Sequence, residues 1–509
     1  MRRLCPGLVL LACTVFPPSV AAQALAGKSA VEAPVQRITL AGLPSSPSPF
    51  VGLFRAVEPV EFLTADIAGL EGPTRACDGC PRRRPVHAIL QTIGVNVVFN
   101  LGGRLRAEPD EYKVTPSSWW ANLRHGFEWD YNSFKVNQFG HPYQGSLYFN
   151  AGRANGLSFW ESAPLVALGS ATWEYFGEKN YAAINDFVTT TMGGMALGEM
   201  FHRAGWLIRD TRLTGRSRVL REILATAVDP ITGANRFVSG DASRVSENPP
   251  DLKPTSVAGD FEVGVQWSGE INQQAVNSTG KPFVGLRLGY DDIYSSPFKR
   301  PFDAFFVSLR LGGGAGISEA MIRGRLYGRF LGGNQERPTE FFVAQAYDYE
   351  VNGVFDYGGQ SVVLGLSHLL RLSDSTRLAV FGAGGPILLG AITSALITET
   401  PTDEEAPQRT YDFGPGAAFG GGAALRVGGF PVARFGYNGF LIRTVSAVEG
   451  ANGKHFAQVL RLDLLVPLWR SFRLGFSGDY INRATYYDTA ADVHQWIPQF
   501  RVFLARVSR

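Results

Sequence analysis

The chain has little cysteine, little charge and no long uncharged apolar run after its first residues. It holds 4 cysteines in 509 residues, and 18% of its residues are charged. Beyond the N-terminal segment no stretch of about 20 residues is both apolar and free of charge, which argues against a membrane-spanning helix. Entry into a membrane would then have to be as strands closed on themselves. Lys plus Arg number 48 against 45 for Asp plus Glu, so there is no basic excess to track a phosphate backbone, and nucleic acid is excluded as a partner. Ser158 and Ser162 lack a Gly-x-Ser-x-Gly setting. No glycine-rich phosphate loop leads from a strand into a helix, and no cofactor is expected.

Cysteine scarcity narrows further along the chain. Arg2 and Arg3, the apolar run Leu8 to Phe16 and the small residues Val20 to Ala24 read as a secretory signal peptide cleaved after Ala24. A lipoprotein reading through Cys13 comes second, because it leaves too short an apolar segment before that residue. Cys5 and Cys13 depart with the signal, so Cys77-Asp78-Gly79-Cys80 is the whole mature complement. In an oxidising compartment it reads as a local disulfide between Cys77 and Cys80. A lone C-x-x-C outside a βαβ unit is a weak redox sign, and zinc lacks a second ligand pair nearby.

The chain is instead rich in glycine, with 59 residues, and in aromatics, at 12%. That composition suits closely packed strands with aromatic girdles. Its organisation reads as an α+β chain: a signal peptide at 1–24, an irregular arm at 25–85, a helical domain at 86–238, a polar linker at 239–256, and an antiparallel transmembrane β-barrel of about 12 strands at 257–509. The barrel rests on a hydrophobic period of two. In Phe261-Glu262-Val263-Gly264-Val265-Gln266-Trp267 every second side chain is apolar, and the pattern returns in Leu460 to Val466 and in Phe472 to Phe476. Arginines on the opposite face suit a wet lumen. The chain ends Val507-Ser508-Arg509, without the terminal aromatic that many bacterial barrels present to their assembly machinery. That machinery is still the expected partner.

The unusual chemistry lies in the helical domain. His141, Glu174, Asp186, Glu199 and His202 are the catalytic candidates, with Tyr143, Asn150, Arg153 and Glu161 as binding candidates. Ionisable groups buried without partners cost several kcal/mol, so these are expected to be paired. Glu199 and His202, at i and i+3, share a helical face, the spacing of two metal ligands or of a base with its orienting carboxylate. Asp186 lies 13 residues before Glu199, about 140° around a straight helix, and joins them only if Gly193-Gly194 bends the helix or the site lies between helices. The glycine pair otherwise signals close packing. His141 precedes Pro142, which biases it toward an extended conformation. The plainer reading, a hydrogen-bonded network locking the helices together, is preferred over a catalytic site, because ion-pair networks gather the same residue types. No metal is expected to be required.

Asn137-Gln138-Phe139-Gly140-His141-Pro142-Tyr143-Gln144-Gly145, Ser158-Phe159-Trp160-Glu161-Ser162, Trp173-Glu174-Tyr175-Phe176-Gly177-Glu178, Asn185-Asp186-Phe187, Gly193-Gly194-Met195-Ala196-Leu197-Gly198-Glu199 and Asp229-Pro230 follow one another in fixed order. In these blocks the chain resembles the bacterial family catalogued as domain of unknown function 3943, over roughly Pro116 to Gly240. The resemblance implies no reaction. Three roles are therefore carried forward: a barrel anchoring a periplasmic or lumen-plugging helical domain that binds lipid, lipopolysaccharide or another envelope component; a lipid- or lipopolysaccharide-modifying enzyme; and a plug-gated pore or transporter. The first is preferred, since the polar cluster lacks an identifiable nucleophile.

Overall fold

The computed structural model of the chain describes residues 77–106, 109–276, 279–294, 296–332, 338–396, 409–448 and 451–508. The expected signal peptide and the arm up to residue 76 lie outside the described residues. The rest of the arm contains the Cys77–Cys80 disulfide.

Eight α-helices follow among the described residues: α1 (Pro85–Arg106), α2 (Pro109–Tyr112), α3 (Pro116–His125), α4 (His141–Ala154), α5 (Phe159–Phe176), α6 (Ile184–Ile208), α7 (Gly215–Val228) and α8 (Pro230–Ser239), with a π-helical turn, Val136–Gly140, leading into α4. Their starts are written locally. Thr115 and Ser118 cap α3 reciprocally, Ser158 and Glu161 do the same for α5, and Asp229 accepts from the Thr232 amide ahead of Pro230 in α8. Helices α4 and α6 touch backbone to backbone. A Cβ on Gly145 would lie 2.1 Å from the Thr190 carbonyl oxygen, and one on Gly194 would lie 2.5 Å from the Gly145 carbonyl carbon. The Gly193-Gly194 pair thus serves close packing.

Twelve strands close into a barrel in which each strand pairs with its sequence neighbours and β1 pairs with β12. They are β1 (Val257–Ser268), β2 (Lys281–Tyr290), β3 (Phe305–Gly312), β4 (Ile317–Gly332), β5 (Thr339–Val351), β6 (Asp356–Arg371), β7 (Thr376–Thr393), β8 (Tyr411–Val427), β9 (Phe430–Arg443), β10 (Gly453–Trp469), β11 (Phe472–Tyr487) and β12 (Val493–Val507). Most are longer than the five or six residues usual in a soluble sandwich, reaching 18 residues in β7. The expected strand number agrees with this barrel.

Ion pairs identify the inner face. Arg461 of β10 meets Glu319 of β4 at 2.8 Å although these strands stand six apart in a ring of twelve, so both side chains point into the lumen. Arg287 of β2 reaches Asp463 of β10 at 2.7 Å, and Arg434 of β9 pairs with Asp260 of β1. Further along, the lumen is packed with apolar side chains, among them Tyr357, Ile392, Phe440, Ile442, Val459, Ile481 and Ile497. The inner face thus carries paired charges over one stretch and buried apolar side chains over another. Alternation shows that the inner face carries polar residues; it does not show that they meet across the barrel.

Following the register outward from Glu319 gives the outer face. Ala320 and Ile322 lie beside Tyr349 and Tyr347, these beside Gly358 and Gln360, and those in turn beside Ala391 and Leu389, with Phe413 following. These outward residues are buried, and they share one core with Phe134, Leu147, Phe149, Phe159, Met195, Leu197 and Met200 of the helical region. On the uncovered wall, Val263, Leu462, Leu464 and Leu504 are 46–49% exposed. The helical domain thus packs against the outside of the wall from β2 to β8, neither in the lumen nor free of the barrel, which corrects the expectation. Period-two alternation cannot tell an outward apolar side chain that meets lipid from one that meets a helix.

Helix α6 crosses this wall, touching β4, β5, β6 and β7. The outermost layer is also apolar. Val86, Leu90, Val97, Leu101 and Leu105 run down one side of α1 at 52–78% exposure. By length and composition α1 is apolar enough to cross a membrane. This overturns the expectation that no such segment exists; His87 and Arg104, near its two ends, interrupt the apolar run in the sequence.

Candidate functional site

The five catalytic candidates divide into two buried clusters. The first joins three helices. His141 opens α4, Glu174 stands in the last turn of α5, and Asp186 lies in the first turn of α6, where the helix dipole favours a carboxylate. His141 Nε2 is 3.5 Å from Asp186 Oδ2. One potential ligand atom from each of His141, Glu174 and Asp186 lies within 4.8 Å of the others.

Each carboxylate of this cluster is held by one oxygen. Glu174 Oε2 accepts the Ala183 amide at 2.8 Å, and Asp186 Oδ1 accepts from Asn185 Nδ2 at 2.6 Å. Asn185 Oδ1 in turn accepts the Asp130 amide at 2.9 Å. Asn137 donates to Asp130 Oδ2 and to the Tyr411 hydroxyl at 3.2 and 2.6 Å, and Tyr411 donates to the Asn132 carbonyl at 2.7 Å. A barrel-wall tyrosine therefore completes a network begun in the helices. Burial pushes Glu174 up to about 8, with the Asp130 charge adding to it. Burial pulls His141 down to about 4 against the opposing pull of Asp130. At neutral pH the pair is a neutral imidazole beside a mostly protonated carboxyl.

His141 is helical, with φ −60° and ψ −47°, and not extended as its place before Pro142 suggested. Pro142 lies inside a continuous helical stretch, since the π-helical turn runs straight into α4, and the carbonyl of Gln138 four residues before it accepts from the Tyr347 hydroxyl. The π-helical turn just before it widens the backbone.

The second cluster lies further along α6. Glu199 receives Arg153 Nε at 2.8 Å and Arg203 Nε at 2.7 Å. Burial alone would raise its pKa, but Arg153, Arg203 and His202 hold it below the usual carboxylate range. Arg203 also donates to the Pro301 carbonyl at 3.1 Å, tying α6 to the β2–β3 loop. His202 Nδ1 faces Asp229 Oδ2 at 3.2 Å, and Asn150 donates to Asp229 Oδ1 at 3.2 Å. Burial lowers the His202 pKa against the opposing Asp229. Glu199 and His202 share a face, as their spacing implied, yet they meet arginines and Asp229. Asp186 stays with His141 because the glycine pair packs against α4 and does not bring the two ends of α6 together.

Two of the binding candidates, Asn150 and Arg153, belong to this second cluster. Tyr143 packs edge-on against Phe201, and burial pushes its hydroxyl up to about 12. Glu161 closes the α5 cap and pairs with Arg83 at 2.6 Å, which makes it a helix-start device. Sequence reasoning missed the roles of Asp130 and Asp229 and the outward polar wall residues Tyr347 and Gln345. Tyr347 donates to the Gln138 carbonyl at 2.7 Å, and Gln345 donates to the Met192 carbonyl at 2.7 Å. The available signs were Asp229 directly before Pro230, an N-cap ahead of proline, and a glutamine on the outward, otherwise apolar face of β5.

The second cluster neutralises its charges internally and reads as a lock. The first has no arginine in an ion pair with its carboxylates among the described residues. His141 Nδ1 and Glu174 Oε1 are buried with no hydrogen-bond partner there, as are Glu199 Oε2 and Arg153 Nε of the second, which the ion pair at 2.8 Å balances. The first cluster can exchange protons or hold a cation, but it pairs His141 with no hydroxyl or thiol nucleophile.

No curated protein matches the chain. Among solved structures, the NanC porin is similar at 6% identity, covering 48% of this chain and 98% of its own, with a TM-score of 0.25. The outer membrane channel DcaP of Acinetobacter baumannii is similar at 9% identity over 49% of this chain and 96% of its own, with a TM-score of 0.20. Pseudomonas aeruginosa OccK3 is similar at 11% identity over 50% and 96%, with a TM-score of 0.17. Residues 126–231, which include the residues of both clusters, match the family model described as "Domain of unknown function (DUF3943)".

Proposed function

We propose that the chain is an outer-membrane protein in which the barrel is a fixed support and the helical domain, seated in the bilayer against the outer wall, binds a lipid or another envelope component. The observation that carries this reading is the placement of the helices. They cover part of the outward face of β2 to β8, leaving Leu286, Leu364 and Leu366 exposed, and their own outermost side chains, such as Leu90, Val97 and Leu101 of α1 and Val219, Leu220 and Ile223 of α7, are apolar and exposed. Contiguous apolar surface of this kind on a folded domain calls for a lipid or protein cover. The filled lumen weighs against a pore.

Spin labels at Val97→Cys and Leu101→Cys in the protein reconstituted into bilayers test this. Collision with dissolved oxygen is expected to exceed collision with a water-soluble nickel chelate. The reverse order refutes the seating in lipid. The lipid-modifying enzyme is the second reading, favoured by His141 standing between two carboxyl groups. An unchanged envelope lipid profile in a strain carrying His141→Ala at normal protein level removes it.

A further inference from the structure

We propose that His141, Glu174 and Asp186 form a binding site for one divalent transition-metal ion of the zinc or manganese class. The site is built as such sites are. Each carboxylate has one oxygen fixed by an outer donor, the Ala183 amide for Glu174 and the Asn185 side chain for Asp186. Asp186 Oδ2 faces His141 Nε2 at 3.5 Å, and one oxygen of Glu174 lies within 4.8 Å of both residues. Outer hydrogen bonds of this kind orient ligands and set which oxygen meets the ion.

The spacing suits an ion. Two ligands bound to one zinc at about 2.0–2.2 Å in tetrahedral array stand roughly 3.4 Å apart. His141 and Asp186 are already 3.5 Å apart. The widest separation in the triad, within 4.8 Å, closes through the side-chain torsions of Glu174, which carries no ion pair of its own. One nitrogen and two carboxylate oxygens suit zinc, manganese or iron, whereas an oxygen-only set is the calcium and magnesium pattern. Three protein ligands leave a further position on the ion for water or an oxygen of a bound molecule.

The two orphaned atoms are the second, independent observation. Glu174 is fully buried and His141 is 8% exposed, and Glu174 Oε1 and His141 Nδ1 lack partners among the described residues. In the second cluster the buried Glu199 Oε2 also lacks a hydrogen bond, but it has an arginine at 2.8 Å to balance its charge, whereas Glu174 forms no ion pair among the described residues. A cation among the three side chains gives the Glu174 oxygen the partner it lacks and takes Nε2 of His141, the ring nitrogen that already faces Asp186.

The experiment uses the full chain purified in detergent, treated with chelator, then dialysed against Zn²⁺ alone or Mn²⁺ alone before metal content is measured. One ion per chain is expected for at least one of the two metals, with affinity falling tenfold or more in Glu174→Gln and in Asp186→Asn. Asp110→Asn, on the exposed surface of α2, is expected to bind like the wild type. Heat-modifiable gel mobility and protease resistance show whether each variant is folded. Should either carboxylate variant misfold, the wild type alone decides, since loading with metal must then raise its urea midpoint above that of the chelated protein. No stoichiometric metal with either ion, or equal binding in the wild type and in both carboxylate variants, overturns the site. The measurement needs neither a bilayer nor a lipid ligand, so its failure is separate from failure of the proposed seating.

Discussion

Placing a methyl group or more between α4 and α6 should loosen the helical domain without opening the barrel. At Gly194 a Cβ would stand 2.5 Å from the carbonyl carbon and 2.6 Å from the Cα of Gly145. Favourable carbon contacts lie at about 3.5–4.0 Å, so the two helices must part by about 1 Å. Overpacking of this kind costs about 1–3 kcal/mol. The cost exceeds the gain of about 1 kcal/mol that alanine brings over glycine within a helix. Isoleucine adds bulk with no such gain and should cost more. Gly94, in the middle of α1, is the control, because nothing lies within 4 Å of a Cβ there. Gly94→Ala should leave stability unchanged or raise it. The assay is proteolysis of the reconstituted protein, followed on gels that separate the folded barrel from the cut helical segment. Cleavage follows the open population when reclosing is fast, and about 1.4 kcal/mol corresponds to a tenfold change. Gly194→Ile should therefore be cut about tenfold faster or more, with barrel mobility intact. Equal cleavage of Gly194→Ile and wild type would refute the close approach of the two helices.

Three further outcomes are expected. Wild-type protein inserted into planar bilayers should show no steady conductance, because Arg461–Glu319 and the buried apolar side chains fill the lumen; sustained open steps in most insertions would contradict this. Glu199→Gln leaves Arg153 and Arg203 buried without their shared carboxylate, and the loss should be about 3–5 kcal/mol, read as the urea midpoint of the helical domain; a shift below 1 kcal/mol would show that the lock is unimportant. His202 is buried with its pKa lowered, so its unfolded form binds a proton more readily than its folded form. Its contribution is present in full above about pH 6.5 and is lost as pH falls toward the lowered folded value, by at most about 1.4 kcal/mol per pH unit. Urea midpoints at pH 7.5 and 5.5 should show that decline, and His202→Asn should flatten it.

Much of the fold was legible where a local rule fixes an element. The alternation in Phe261 to Trp267 and Leu460 to Val466 gave strands, and Ser158 with Glu161 gave a helix start. The side of the wall on which the helices lie was not legible, since Tyr347 and Ile322 read like any outward barrel residue until the cross-lumen pairs orient the face. The candidate site was half legible. Its residues all lie in two buried clusters, but the division into an arginine-balanced group and a His-Glu-Asp triad depends on partners such as Arg153 for Glu199 and Ala183 for Glu174. Spacing along α6 carried no information about them.

The pairing of β1 with β12 also constrains the order of assembly. A barrel that closes through its last strand is finished only when the C-terminus arrives, whereas the helical domain emerges first. Its seat on β2 to β8 does not exist while it waits, so the apolar surfaces of α4 to α6 need temporary shelter during transit. Contacts between residues as distant as Asn137 and Tyr411 form late and slowly. The helices near the start of the described chain and the strands near its end are thus completed together.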